Sequence, residues 1–330
     1  MGINTQPMME LYAAGFNAWN QLCFQEPPPP PSGDEEPDDL HEFTCVLADG
    51  GRVLGDVISS LSYTLVETSN GTTAAGEVPD EDAALRKQHG GYVQAANGSV
   101  AILVDVRTVC QYGSIADALA SAAATTGDST PTTKRKTHRF PEDVVQLVAY
   151  DVGFAALSAA GSVWTWGDDR YPGCLARPVA GSKSAESAGL VTDLEDLPTG
   201  KIKKIAAGGY LLAALTMGGD LYCWGGHPGR KAIIEGSEDM LSGPVPVVVD
   251  EDADVADVAV GESHLIVLTD RNDVFVIGED TNGQLGLGKD GSASVRSWTR
   301  VELPQSLVQL QEIVGVAAGA RCSFIKMKNK

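Results

Sequence analysis

The stretch GGYLLAALTMGGDLYCWGG, residues 208–226, reads as one β-hairpin: an apolar run, a tight turn at Gly219-Asp220, and a second strand ending in Trp-Gly. Its register is written more than once. Aligned on the glycine that ends the second strand, GGYLLAALTMGGDLYCWG (208–225) and GESHLIVLTDRNDVFVIG (261–278) match without a gap. Leu215-Thr216 falls on Leu268-Thr269, the turn residues Gly219-Asp220 on Asn272-Asp273, and Leu221 on Val274. YDVGFAALSAAGSVWTWG (150–167) keeps the same register, and SSLSYTLVETSNGTTAAG (59–76) and ANGSVAILVDVRTVCQYG (96–113) are weaker copies.

The anchor glycines Gly76, Gly113, Gly167, Gly225 and Gly278 lie 37, 54, 58 and 53 residues apart. Self-similarity at such a period marks a solenoid or a propeller, because one unit cannot bury its apolar face without neighbours. Short β-branched or aromatic runs between Gly, Asn and Asp turns select the all-β case, a β-propeller of radially packed small sheets. An open sandwich has no reason to repeat an eighteen-residue register. The chain ends complete one another: GARCSFIK (319–326) matches the first half of the hairpin, and ELYAAG (10–15) matches the second. The expectation is a single propeller domain over 1–330, closed by pairing of the N- and C-terminal strands. Six units are recognisable, and HEFTCVLADGGRVLG (41–55), which also reads as strand, turn, strand, leaves six or seven blades open.

In the anchor positions Gly15, Gly167, Gly225 and Gly278, glycine permits a turn that a Cβ would hinder. The large Trp166 and Trp224 before two of them, with Trp164 and Phe275, are sized to fill the wedge between blades. These residues are read as structural.

The chain has 330 residues, 43% of them hydrophobic, enough for a large core. Its formal charge of −20 lacks the basic footprint that phosphate binding needs, so nucleic acid is disfavoured as a partner. The acidic surface serves solubility or steers a basic partner. The six cysteines show no C-x-x-C and no histidine at metal-ligand spacing, so buried free thiols and no metal site are expected. The start MGINTQPMMELYAAG has no basic and apolar leader, and no apolar run is long enough to span a bilayer. Cytoplasm, nucleus or both fit these features, with no membrane partner.

Two insertions interrupt the repeats. Residues 25–40 combine a polyproline run with acids and read as an extended loop, open to a proline-reading module. Residues 115–140 begin like a short helix, turn polar and end in a basic cluster at 134–139, which is either a nuclear-import signal or part of a flexible loop. GQLGLGKD (283–290) nearly spells a phosphate-binding loop, but Asp290 stands where a magnesium-binding hydroxyl is required and no helix pattern follows. No histidine falls in a nucleophile motif and no G-x-S-x-G is present, so no catalytic residue and no cofactor are assigned. His264, at a strand start, is read as structural.

After the anchor, three units continue alike: GFNAWNQLC (15–23), GDDRYPGCLA (167–176) and GEDTNGQLGLG (278–288). An apolar-Thr hairpin, then Trp-Gly, then Asn-x-x-Gly-Gln-Leu-Gly resembles the repeat of the regulator of chromosome condensation family, whose founding members are seven-bladed propellers. The resemblance is poor over 41–115, where Ala75-Gly76 and Tyr112-Gly113 replace Trp-Gly. It implies a non-enzymatic interaction scaffold or regulatory subunit. In size and domain content the chain is similar to the fungal alpha-tubulin suppressor type. That likeness implies a small zinc-binding electron carrier as partner, in diphthamide synthesis and tRNA wobble-uridine modification. The alternative implied by the founder is guanine-nucleotide exchange on a Ran-type small GTPase. Loops that leave each blade after the anchor occupy equivalent places, so Asn17, Trp19, Asp169, Tyr171, His227, Arg230, Asp280 and Asn282 are expected to form a polar and aromatic partner-binding surface.

Overall fold

The 208–225 hairpin pairs in the register its repetition requires: in a computed structural model, Leu211–Thr216 runs antiparallel to Leu221–Gly225, with Leu211 opposite Gly225 and Leu215 opposite Leu221. The copy at 261–278 pairs His264 with Gly278 and Leu268 with Val274, and the copy at 150–167 pairs Gly153 with Gly167. The weaker copies are strand pairs too, Tyr63–Thr68 with Gly71–Gly76 and Val100–Asp105 with Thr108–Tyr112. The structure describes residues 9–25, 37–48, 53–123, 135–179, 184–236 and 238–330.

Among the described residues the strands form six sheets in a six-bladed β-propeller arrangement. In chain order, blade 1 holds Val53–Ser59, Tyr63–Thr68 and Gly71–Gly76. Blade 2 holds Val93–Gln94, Val100–Asp105, Thr108–Tyr112 and Lys136–Arg139. Blade 3 holds Val144–Tyr150, Gly153–Ser158, Val163–Gly167 and Gly189–Leu190. Blade 4 is Ile202–Gly208, Leu211–Thr216, Leu221–Gly225 and Val245–Val247, and blade 5 is Val255–Val260, His264–Thr269, Val274–Glu279 and Ser294–Arg300. Blade 6 joins the two ends of the chain: Met9–Gly15 pairs with Cys322–Asn329 from Met9↔Lys328 to Gly15↔Cys322, flanked by Leu40–Leu47 and Gln311–Ala318. The stretch 41–55 is not a seventh hairpin, because its two strands belong to different sheets. Leu40–Leu47 pairs with the N-terminal strand of blade 6, whereas Val53–Ser59 pairs within blade 1, so among the described residues the stretch supplies strands to two sheets and makes no sheet of its own.

The strands divide between two compact units, blades 1, 5 and 6 in one and blades 2, 3 and 4 in the other. In the second unit the wedge role of the tryptophans is explicit. Trp166 of blade 3 is fully buried against Ala101 and Val109 of blade 2 and against Phe140 and Phe154. Trp224 of blade 4 is fully buried among Leu157, Val163 and Cys174 of blade 3. Each of these two indole N–H groups is satisfied, donating to Gln111 Oε1 at 3.1 Å and to the Cys174 carbonyl at 3.1 Å, as most buried donors are. In the first unit the corresponding place in blade 5 is taken by the buried Ile277, and Met9–Gly15 packs Leu11 and Ala13 against Phe324, Val57 and Val66.

The anchor glycines are required by a close approach. Gly226 N–H donates to the Tyr210 carbonyl at 2.7 Å and Glu279 N–H to the Ser263 carbonyl at 2.9 Å, which draws the end of one strand over the turn that precedes its partner. A Cβ on Gly225, at φ +96°, would drive into that Tyr210 carbonyl, and one on Gly278, at φ +122°, into that of Ser263. Gly225→Ala is therefore expected to lower stability by about 2–4 kcal/mol, from combined backbone strain and steric overlap. Chemical denaturation would measure it, and a loss below about 1 kcal/mol, the size of an ordinary Gly-to-Ala effect, would show that the turn relaxes freely.

The two insertions lie partly outside the described residues, over 26–36 and 124–134. Of the second, Ile115–Ala123 is a helix and Lys136–Arg139 the outer strand of blade 2, so three of the basic-cluster residues, Lys136, His138 and Arg139, belong to a sheet. The six cysteines are free: Cys110, Cys174, Cys223 and Cys322 are buried, whereas Cys45 is exposed and Cys23 half-buried. Among the described residues no helix is long and apolar enough to cross a membrane.

Candidate functional site

In the first unit the loops after Gly15 and Gly278 are built alike. Leu22 N–H donates to Asn17 Oδ1 at 3.0 Å, and Leu285 N–H donates to Asp280 Oδ1 at 2.8 Å. Trp19 N–H donates to Gln21 Oε1 at 2.9 Å, and Asn282 N–H donates to Gln284 Oε1 at 2.9 Å. The Asn/Asp and Gln of the motif therefore replace missing backbone partners inside the turn. Asn17 and Asp280 are buried for this purpose, and burial raises the Asp280 carboxyl above its ordinary value. Asp39 ties the pair together: one carboxylate oxygen accepts from Asn17 N–H at 2.9 Å and the other from Asn282 Nδ2 at 2.8 Å. What these loops leave open is Trp19, 57% exposed at the loop tip. Its neighbour Asn20 sits at φ +55°.

In the second unit the loops after Gly167 and Gly225 bring Tyr171 and His227 together, joined by Tyr210 from the turn between the first two strands of blade 4. Ring centroids lie 4.9 Å apart for Tyr171–Tyr210, 4.9 Å for Tyr210–His227 and 5.6 Å for Tyr171–His227. Burial, with the Tyr171 hydroxyl adding to it, pushes the Tyr210 phenol up to about 12, so it remains a neutral donor at physiological pH. Gly229 N–H donates to His227 Nδ1 at 3.0 Å and Arg230 N–H to the His227 carbonyl at 3.0 Å, which fixes the imidazole and places the exposed Arg230 beside it. Arg170 lies over the Tyr171 ring at 5.9 Å and holds Asp168 through three contacts of 2.6–3.0 Å, drawing its carboxyl below the usual range. Asp169 is exposed, and its charge adds to the pull of Asp168 on Arg170. Tyr210 and Arg170 carry no repeat signature and are found only through this packing. The structure thus assembles Tyr171, His227 and Arg230 in one unit and Asn17, Asp280 and Asn282, beside Trp19, in the other.

The aromatic group stands on a fixed wall. Arg177 donates to four backbone carbonyls, those of Thr165, Ser184, Ala185 and Ser187, at 2.6–3.3 Å, and so ties the 184–187 segment to the third strand of blade 3. Replacing Arg177 with Ala removes the side-chain donor from all four, leaving Ala185 and Ser184 only the backbone N–H groups of Gly167 and Ser187; proteolysis between residues 184 and 188 is expected to accelerate at least about fivefold, a local opening about 1 kcal/mol easier. An unchanged cleavage rate would show that the loop holds without the guanidinium. Among the described residues no group of three or more His, Cys, Asp or Glu is placed to hold a metal. The buried thiols of Cys174 and Cys322 are both pushed up to about 11, which leaves them protonated and poor nucleophiles.

Comparison with known proteins bears on the same loops. Residues 271–325, and residues 255–284 overlapping them, match the Regulator of chromosome condensation (RCC1) repeat. The chain is similar to the Regulator of chromosome condensation of Homo sapiens, 35% identical over 146 residues, 44% of this chain and 33% of that protein. It is also similar to the Ultraviolet-B receptor UVR8 of Arabidopsis thaliana, 34% identical over 134 residues, 41% of this chain and 29% of that one. The matches thus span about a third of those relatives' length. In fold, the chain superposes on human WBSCR16 with a TM-score of 0.56 at 15% identity, covering 98% of this chain and 99% of that one. The Saccharomyces cerevisiae Prp20p, reported with its binding to Gsp1p and histones, gives 0.55 at 14% identity, covering 100% and 93%. The repeat recognised from the residues is present, and its structural neighbours are propellers of the same type.

Proposed function

We propose that this protein is a non-enzymatic interaction scaffold whose partner docks on the loops after the anchor glycines, chiefly on Tyr171, Tyr210 and His227 with Arg170 and Arg230. The observation that carries the reading is the packing of three rings within 5.6 Å of one another beside two exposed arginines, on loops held by a sheet. Tyrosine and arginine anchors of this kind dominate binding energy at protein interfaces, and rigid loops lose little entropy on docking. Trp19 is the corresponding open anchor on the other unit. The relatives support a protein partner: Prp20p is described with Gsp1p and histones, and in another structure with Kap60.

Affinity purification from the native cell at low salt, with the parent and with Tyr171→Ala/His227→Ala, tests this. One stoichiometric protein recovered with the parent and depleted at least about tenfold with the variant is the expected result, equivalent to losing one good anchor. Undiminished recovery by the variant removes the surface from consideration. The partner's identity then selects between the finer assignments, a small zinc-binding electron carrier serving diphthamide or tRNA modification and a small GTPase, and between cytoplasm and nucleus. The 35% identity to the Regulator of chromosome condensation favours a second reading, nucleotide exchange on a Ran-type GTPase. It requires that the purified chain accelerate release of labelled GDP, and a rate equal to the spontaneous one rejects it.

A further inference from the structure

A cavity of about 660 Å³ opens in the second unit between blades 2 and 3, with Gly167, Asp168 and Asp169 in its wall. Its volume falls in the range of ligand pockets, but its wall is polar and charged where such pockets are mostly apolar. Among the described residues, three acids, Asp168, Asp169 and Glu186, and one base, Lys136, line it. Lys136 is spent on Glu186 at 2.8 Å, and Asp168 is spent on Arg170 at 2.6 Å. Asp169 forms no close ion pair among the described residues, Arg170 acting on it only through its longer-range charge.

The cavity also carries a fixed donor. Gln111 Oε1 accepts from Trp166 Nε1 at 3.1 Å and faces His138 Nε2 at 3.3 Å. Ala188 N–H donates to His138 Nδ1 at 3.3 Å, so the imidazole proton sits on Nε2 and is given to the same Gln111 oxygen. With Oε1 claimed from two sides the amide cannot flip, and Nε2, which has no acceptor among the described residues, is held at the cavity wall as an open donor.

An occupant must therefore bring a cation for Asp169 and an acceptor for Gln111 into one polar space. A basic residue within a polypeptide carries both, a charged side chain and a backbone carbonyl. We propose that this cavity takes up an arginine side chain of a partner polypeptide, with its guanidinium on Asp169 and an adjoining carbonyl on Gln111 Nε2. Arginine fits better than lysine because its planar fork engages a carboxylate through two bonds, as Arg170 already does on Asp168. The chain's charge of −20 draws basic segments toward it over long range. This inference rests on the interaction reading and names the chemistry of the partner segment.

The test uses the purified full chain and a fluorescein-labelled Gly-Gly-Arg-Gly-Gly peptide followed by anisotropy, so it stands or falls without the cellular partner. Binding is expected to weaken at least about fivefold when citrulline replaces arginine, which keeps the shape and removes the charge, and by a similar factor in Asp169→Asn. Glu312→Gln, the same charge change at a residue that does not line the cavity, is expected to leave affinity within about twofold, since solvent and salt screen a charge outside the site. Equal weakening by both variants would reduce the effect to diffuse charge and overturn the site. Citrulline binding as well as arginine, or no saturable binding of the arginine peptide at millimolar concentration, overturns it too. Free arginine binding as tightly as the peptide overturns the polypeptide assignment. Failure of this assay with partner capture intact rejects only the arginine pocket; failure of capture with this assay intact rejects the aromatic docking surface.

Discussion

Trp224→Ala is expected to lower stability by about 3–5 kcal/mol, the range for truncating a fully buried aromatic in a core that cannot collapse around the void. Trp224 belongs to blade 4 yet lies among Leu157, Val163 and Cys174 of blade 3, and its indole N–H holds the Cys174 carbonyl at 3.1 Å. Removing the ring opens a gap between two sheets and strands a buried acceptor, and neither sheet can move inward without breaking its own ladder. Trp19→Ala, at a site 57% exposed, is expected to change stability by no more than about 0.5 kcal/mol. Urea denaturation of the two variants beside the parent measures both. Equal losses would mean that the wedge tryptophan is no more structural than an exposed one.

Acidification is expected to destabilise the protein between pH 6.5 and 4, before most carboxylates protonate. His264 is fully buried in the first unit and burial holds it down at about 4, against a smaller opposing pull from the Cys322 backbone. His138 in the second unit is held at about 4, first by burial and then by the charge of Lys136. Protonation of its Nδ1 would set a new N–H against the Ala188 N–H that donates there. For a base whose folded pKa is depressed, the unfolded chain takes up protons first; the stability is fully present above pH 6.5 and is lost as pH falls toward 4. A shift of this size corresponds to on the order of 3 kcal/mol for each histidine. Denaturation midpoints between pH 8 and 4 should show that decline, and His264→Leu should flatten it relative to its own neutral-pH stability. A parent profile that stays level down to pH 4, or imidazole resonances titrating near 6.5, would contradict the assignment.

The fold was legible because the hairpin register repeats: Leu215-Thr216 over Leu268-Thr269 is a statement about a period, and a period of this length has few architectural solutions. The pairing of the two chain ends was legible for the same reason, since each end carries the half that the other lacks. The blade number was not legible, because HEFTCVLADGGRVLG has strand, turn and strand chemistry over both halves. Which neighbour each half pairs with depends on where the adjoining sheets lie, which local sequence does not encode. The loops show the same division. Asn17 and Asp280 read as surface polar groups, yet they fill backbone vacancies inside their own turns, a role visible only once Leu22 and Leu285 are seen to donate to them. Tyr171 and His227 were legible as loop aromatics. Tyr210, which joins them, sits in a different part of the repeat, and Gln111 is bound to its role by contacts 27 and 55 residues away in sequence.

The measurement that tests the account most directly is amide hydrogen exchange on the purified chain with and without the protein it captures. The docking surface predicts slowed exchange in 168–173 and 226–230, with the hairpin turns at 159–162 and 217–220 unchanged. Protection confined to those turns, with the 168–173 and 226–230 loops exchanging as in the free protein, would contradict it.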